Sequence, residues 1–272
     1  MAGICLTGDV HSREIAYPEQ DYLPNGMSEV DVAKQYVDTA KSQGVSATLF
    51  VTGRAATEQP DDVRKLGDTE GIEIGGHTYQ SLRPQWLHKL FRIVTRSQYG
   101  PSLFQRYDIR RTKQALEPLV GNLTSCRTHA YASDERSSNI LAEEGFTLMS
   151  DEVTPPSQIH PTFGGDLVQL PINTLRDHGH VYHAERTPDS VDGDPNSGDP
   201  FCKQSFTIEE WGKRIRDQIK QIVNDGGIAT IQAHPICQCT SDEFSTLASL
   251  LEWIDEQGIQ TFTCREISGQ YG

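Results

Sequence analysis

A chain of 272 residues is long enough for one domain with a substantial core, and no linker-like break divides residues 1–272. Its formal charge of −14 argues against nucleic acid or an anionic membrane as the main partner, because binding either needs a basic patch. Membrane insertion is not expected, since no apolar run approaches the roughly 18 residues of a spanning helix. Arginine outnumbers lysine, and Asp, Ser and Thr are abundant, a composition that keeps a protein hydrated in high salt.

The chain opens on an apolar run, Ile4–Leu6, that reads as a strand and ends in Asp9 and His11. Residues i and i+2 of a strand share a face, so these two side chains converge at its carboxyl end. Ser28 reads as a helix cap, followed by the stripe Val30, Ala33, Val37 and Ala40 and a stop at Gly44. A second strand is expected at Ala47–Val51, a short helix at Pro60–Leu66, and a third strand at Ile72–Gly76. That third strand delivers His77, with Gly75 and Gly76 expected to turn the backbone and leave room beside the ring.

Residues 81–122 are mostly helical in pattern, with one helix expected at Ile109–Leu119. Trp86, Leu87, Leu90, Phe91 and Val94 read as one buried helix face, or else as the lining of a lid or groove. A strand at Thr124–Arg127 leads to His129 and Tyr131, a helix at Asp134–Glu144 follows, and a strand at Phe146–Ser150 ends in Asp151. Leu167–Leu170 reads as a strand, His178, His180 and His183 form a cluster, and residues 185–200 read as a surface loop. A helix at Thr207–Asn224 precedes a buried-type strand at Gly227–Gln232 that runs into His234. A helix at 241–257 and a strand at Ile259–Thr263 are expected to close the chain.

Strands alternating with helices predict a parallel α/β architecture, whose strand carboxyl ends form the ligand-binding face. The cysteines at 5, 126, 202, 237, 239 and 264 are dispersed, as in a reduced intracellular protein. Only Cys237 and Cys239 are spaced as a metal-binding pair. The amino terminus enters a strand with no basic or signal-length apolar segment, which predicts a cytoplasmic protein.

The segments Ala47–Gly53 and Glu73–Thr78 resemble the polysaccharide deacetylase family, carbohydrate esterase family four, also described as the chitooligosaccharide-deacetylase homology domain. Asp9, the run Cys126-Arg127-Thr128-His129-Ala130-Tyr131, and Ala233-His234-Pro235 follow in the family's order, from about residue 4 to 266. With its acidic composition, the chain looks like a divergent haloarchaeal member. The resemblance implies a distorted (β/α)7-type barrel in a single domain. It also implies a divalent metal, zinc by preference, used to hydrolyse an amide such as the N-acetyl group of a sugar or related glycan.

By the same resemblance Asp9 maps to the catalytic base, Arg127 to the residue that orients it, His234 to the acid, and Asp151 to the residue that orients His234. His11 stands where the family has a carboxylate ligand, and His77 matches the first histidine of its HxxxH pair. Ser81 occupies the second position, so the third ligand must come from elsewhere, with His129, His178 and His180 as candidates. His129 is favoured because it lies within the arginine motif. Two other functions stay open: hydrolysis of a cyclic amide or other C–N bond without the usual metal triad, and a non-catalytic carbohydrate-binding role. The expected partner is a small-molecule or glycan substrate, soluble or lipid-linked, and the sequence specifies no oligomeric state.

Overall fold

In the computed structural model residues 1–13, 18–190, 200–201 and 204–271 are described. Most of the expected loop at 185–200, and Cys202, lie outside these residues. Eight strands form one sheet: β1 (Gly3–Val10), β2 (Ala47–Val51), β3 (Ile72–Gly76), β4 (Ser125–Cys126), β5 (Leu148–Met149), β6 (Thr162–Gly164), β7 (Leu167–Gln169) and β8 (Ile228–Gln232). Their order is β6-β7-β5-β4-β3-β2-β1-β8. Every pairing is parallel except β6 with β7. The helices are α1 (Glu29–Ser42), α2 (Gly53–Glu58), α3 (Pro60–Gly67), α4 (Gln85–Thr95), α5 (Ser102–Val120), α6 (Glu135–Glu143), α7 (Ile208–Asn224), α8 (Pro235–Asp242), α9 (Ser245–Glu256) and α10 (Cys264–Tyr271).

The expected α/β barrel-type fold forms as a curled sheet with a large hydrophobic cluster and a smaller second one around Cys5, Phe50 and Leu148. The neighbouring strands β1 and β2 are buried along their whole length, which is why they read as apolar runs rather than alternating ones. α1 starts with a capping box in which Ser28 and Asp31 satisfy each other's backbone N–H groups, and its predicted stripe is buried. Strand β8 and the segment after β7 meet through a side chain. Asn173 Nδ2 donates to the Ile228 carbonyl at 2.9 Å, and the Thr230 N–H donates to Asn173 Oδ1 at 2.9 Å. The amide thus imitates one peptide of a sheet ladder and closes the seam.

Several expectations need correction. Gly75 and Gly76 do not turn the backbone; they continue β3. A Cβ at Gly75 would lie 2.6 Å from Ser125 Oγ and 2.7 Å from the Phe50 ring, so close packing explains this glycine. The expected final strand contracts to a single bridge between Ile4 and Thr261. Thr263 and Glu266 form reciprocal bonds there, with Thr263 N donating to Glu266 Oε2 at 2.8 Å, and the chain turns into α10. The helix expected at 241–257 breaks at Glu243 and Phe244, both left-handed, leaving α8 to run directly from His234. The α4 face expected to be buried is split: Leu87 and Phe91 are half-buried, but Trp86 is 67% exposed and Val94 71%. Only His88 on that helix is fully covered.

Candidate active site

Asp9 is the next-to-last residue of β1, and its side chain is buried. Arg127, just beyond β4, is also completely buried, and its guanidinium is bonded on every side. Nε donates to the Ser150 carbonyl at 2.8 Å and Nη2 to Ser150 Oγ at 2.9 Å. Nη1 reaches Thr7 Oγ1 at 3.1 Å and Asp9 Oδ1 at 3.0 Å. Gln232 Nε2 donates to the other Asp9 oxygen at 2.9 Å. Burial pushes the Asp9 pKa up, but Arg127, with His234, outweighs it and holds the carboxyl well below its ordinary range. Asp9 is therefore ionised.

His234 follows β8 and begins α8. Its Nε2 lies 3.3 Å from Asp9 Oδ2, and its Nδ1 lies 2.6 Å from Asp177 Oδ1. Asp177 is fully buried, and its second oxygen accepts from the His234 backbone N–H and from Gln238 Nε2. Burial works against the imidazolium, but the two carboxylates raise the His234 pKa well above its usual value. A proton is thus stored between Asp177 and Asp9.

Asp151 does not take the part the resemblance implied. It is buried against the turn after β4, accepting from the Thr128 N–H at 2.7 Å and from the Thr128 hydroxyl, and so fixes the loop that carries His129. Asp177 is the residue that holds His234.

Three imidazoles meet beside Asp9. His11, His77 and His129 place their ligand atoms within 4.8 Å of one another. His11 and His77 come from β1 and β3, which are separated by β2 rather than adjacent, yet their ring centroids are only 5.1 Å apart. His77 Nδ1 donates to the Arg127 carbonyl at 2.9 Å, which leaves its Nε2 as a lone pair facing the group. His11 Nδ1 donates to the Glu29 carboxylate at 2.9 Å, and its Nε2 faces the group. Gln20 Nε2 holds the other Glu29 oxygen at 2.7 Å. Burial raises the Glu29 pKa, but His11 and these hydrogen bonds bring it below normal.

His129 Nδ1 lies 3.2 Å from His11 Nε2 and 3.4 Å from His77 Nε2. Two metal–nitrogen bonds of about 2.0–2.1 Å at a tetrahedral angle separate their nitrogens by about 3.3 Å. Burial, reinforced by the neighbouring rings, lowers His77 to about 3 and His129 well below its ordinary pKa. His77 and His129 are thus neutral donors, and His77 and His11 are oriented through their other nitrogen by a carbonyl and a carboxylate, an arrangement that zinc takes. The residues present therefore fit a divalent metal of the zinc type.

The other candidates for third ligand lie elsewhere. His180 is buried with Nδ1 3.0 Å from the Gln204 carbonyl, and His178 faces Glu19 at 3.6 Å. Ser81 Oγ is buried and makes no hydrogen bond, so it does not join the three histidines through one. A cavity of about 400 Å³ opens over the cluster, lined by Asp9, His77, His129, Tyr131, Arg176 and His234 among others.

Three neighbours of these side chains were not anticipated. Gln232 was within reach of the same-face rule, since it stands two residues before His234 on β8 and also receives the Tyr131 hydroxyl at 2.6 Å. Asp177 was hidden in an irregular segment, and Glu29 in what reads as an ordinary acidic first turn of a helix. The only sequence signal for either is that an oriented histidine needs a partner for its second nitrogen.

The fold and the site define an α/β barrel with a histidine cluster and a buried aspartate–histidine pair at its strand ends. Residues 21–148 match the family model described as Polysaccharide deacetylase. Among solved structures it is similar to a protein described as a polysaccharide deacetylase from Mycobacterium smegmatis, at 16% identity and a TM-score of 0.68, covering 99% of this chain and 91% of that one. A PuuE allantoinase is similar at 14% identity and a TM-score of 0.66, covering 99% and 90%. A family-four pseudoenzyme from Bacillus anthracis is similar at 15% identity and a TM-score of 0.51, covering 98% of this chain and 66% of that one. At these identities the likeness is one of fold. No curated protein matches the chain.

Proposed function

We propose that the protein is a metal-dependent hydrolase of amide C–N bonds, acting on an N-acetylated sugar or a related small glycan. The observation that carries this reading is the convergence of His11, His77 and His129 beside the Asp9–His234 pair. These three histidines would hold the cation, with zinc favoured by an all-nitrogen donor set. When bound, a divalent cation supplies carbonyl polarisation and acidifies water, which a carboxylate as acidic as Asp9 needs before it can act as a base.

The remaining roles belong to the chain's own side chains. Arg127 and Gln232 fix the Asp9 carboxylate so that one oxygen stays directed toward the site. His234 carries a proton and gives it to the departing nitrogen, which would otherwise leave as an unstable amide anion. Asp177 keeps that imidazole oriented and charged. A cavity of about 400 Å³ suits one sugar-sized group better than a long polymer strand.

The cyclic-amide reading is favoured by one feature, Ser81 in place of the second histidine of the family pair. The two readings separate in one experiment. Purified protein is assayed on N-acetylated sugars and on cyclic amides before and after chelation, then after zinc is restored. Loss and recovery of sugar deacetylation supports the proposal. Cyclic-amide hydrolysis that survives chelation overturns it.

A further inference from the structure

The open face of α4 has a composition found nowhere else in the chain. Between Glu73 and Asp108 there is no acidic residue, although the chain as a whole carries 38. The same stretch holds Arg83, Lys89, Arg92, Arg96 and Arg106. At about 3.6 residues per turn, α4 divides into three sectors. His88, Leu87 and Phe91 point inward, where the rings of His88, Phe91 and Phe104 pack together with centroids 4.9 to 5.5 Å apart. Trp86, Leu90, Ile93 and Val94 form a second sector, exposed by 67%, 47%, 79% and 71%. Lys89, Arg92 and Arg96 form the third and are also exposed. On α5, Leu103 and Tyr107 add two more exposed apolar side chains one turn apart.

We propose that α4 and the start of α5 are a docking face for an anionic lipid surface. A helix with an outward apolar sector, a tryptophan within it and a flanking row of cations matches the way interfacial helices lie in a bilayer headgroup region. The apolar sector inserts among the acyl chains, and the cations meet the lipid phosphates. The charge complementarity is specific to this face, because the rest of the surface is acidic and is repelled by such a membrane. A polyanion without an apolar layer leaves Trp86 and Ile93 uncovered. A second copy related by a twofold axis sets Lys89, Arg92 and Arg96 against their own equivalents.

The face also adjoins the site. Lys89 and Arg92 line a cavity of about 360 Å³ that shares His129 and Ala130 with the cavity over the histidine cluster. Docking therefore directs this entrance toward the lipid surface. The inference does not depend on the reaction proposed above, and its test reads binding rather than turnover.

Full-length protein is sedimented with vesicles of phosphatidylcholine alone or of phosphatidylcholine mixed with phosphatidylglycerol. Wild type should bind the mixed vesicles roughly 30- to 150-fold more tightly than the neutral ones, the scale expected from two or three surface cations. Leu90→Ser with Ile93→Ser should weaken binding to mixed vesicles about tenfold, and Lys89→Glu with Arg92→Glu should erase the preference for phosphatidylglycerol. Both variants change exposed side chains, so their melting temperatures should match wild type. Failure of the wild type to sediment with either vesicle overturns the proposal. So does a wild-type dimer, seen by light scattering, that Ile93→Ser converts to monomer with no vesicle binding in either protein; the face is then a contact between copies.

Discussion

A protonated imidazole held between two carboxylates is suited to protonate a leaving nitrogen, and His234 occupies that position between Asp177 and Asp9. His234→Ala should lower turnover on an N-acetyl amide by about 10²–10⁴, the usual scale of general acid–base help. The same variant should lose far less on an aryl acetate, whose leaving group departs without a proton. Zinc content should stay at the wild-type level, because His234 lies outside the three-histidine group. Equal losses on both substrates would assign His234 to transition-state binding instead. A metal-free variant would make it a ligand. At this scale the sequence was legible where a strand ended in a chemical group: Asp9, His77 and His234 all follow apolar runs. Asp177 and Glu29 were not legible, because each acts on a residue far away in sequence and neither interrupts a local pattern.

Among the elements, the helix and strand periods placed most of the sheet and α1, α3, α5, α6 and α7, since buried parallel strands and amphipathic helices leave strong signals. Short pieces fared worse. α2, α8 and α10 begin immediately after strand ends or bridges, where Thr52, His234 and Thr263 switch the chain from extended to helical within one residue. α4 shows a different limit. Its apolar residues are periodic, but periodicity records sidedness and not which neighbour covers the side. The seam of the barrel rests on Asn173, whose two amide protons reach the carbonyls of Gln158 and Ile228 and whose oxygen accepts from Thr230. Asn173→Ala leaves these buried groups unpaired and should cost about 3 kcal/mol. That corresponds to a fall of roughly 6–12 °C in melting temperature for a domain of this size. Asn173→Asp is the sharper variant, because it keeps the bond from Thr230 but turns both donors into acceptors facing carbonyls. Calorimetry should find it at least as destabilised as the alanine variant, and wild-type stability in either would show that the seam does not depend on this amide.

For the whole molecule, a net charge of −14 describes an average that the surface does not obey. It predicted no attraction to anionic surfaces, yet within the acid-free stretch from Ile74 to Tyr107 the residues Lys89, Arg92 and Arg96 line one side of α4 and are exposed. The rest of the surface repels itself. Salt screens that repulsion, with a Debye length of about 3 Å at 1 M. The melting temperature should therefore rise between dilute buffer and molar KCl, and an unchanged or falling midpoint would contradict adaptation to high salt. No helix among the described residues is long and apolar enough to cross a membrane.

The central claim is that His11, His77 and His129 together bind the metal that the proposed chemistry requires. X-ray absorption at the zinc edge of the zinc-loaded protein tests it most directly. The account predicts three imidazole nitrogens at about 2.0–2.1 Å, and the loss of one of them, with weakened zinc retention, in His129→Ala. Failure of the wild type to retain zinc, or an unchanged imidazole count in His129→Ala, would contradict it.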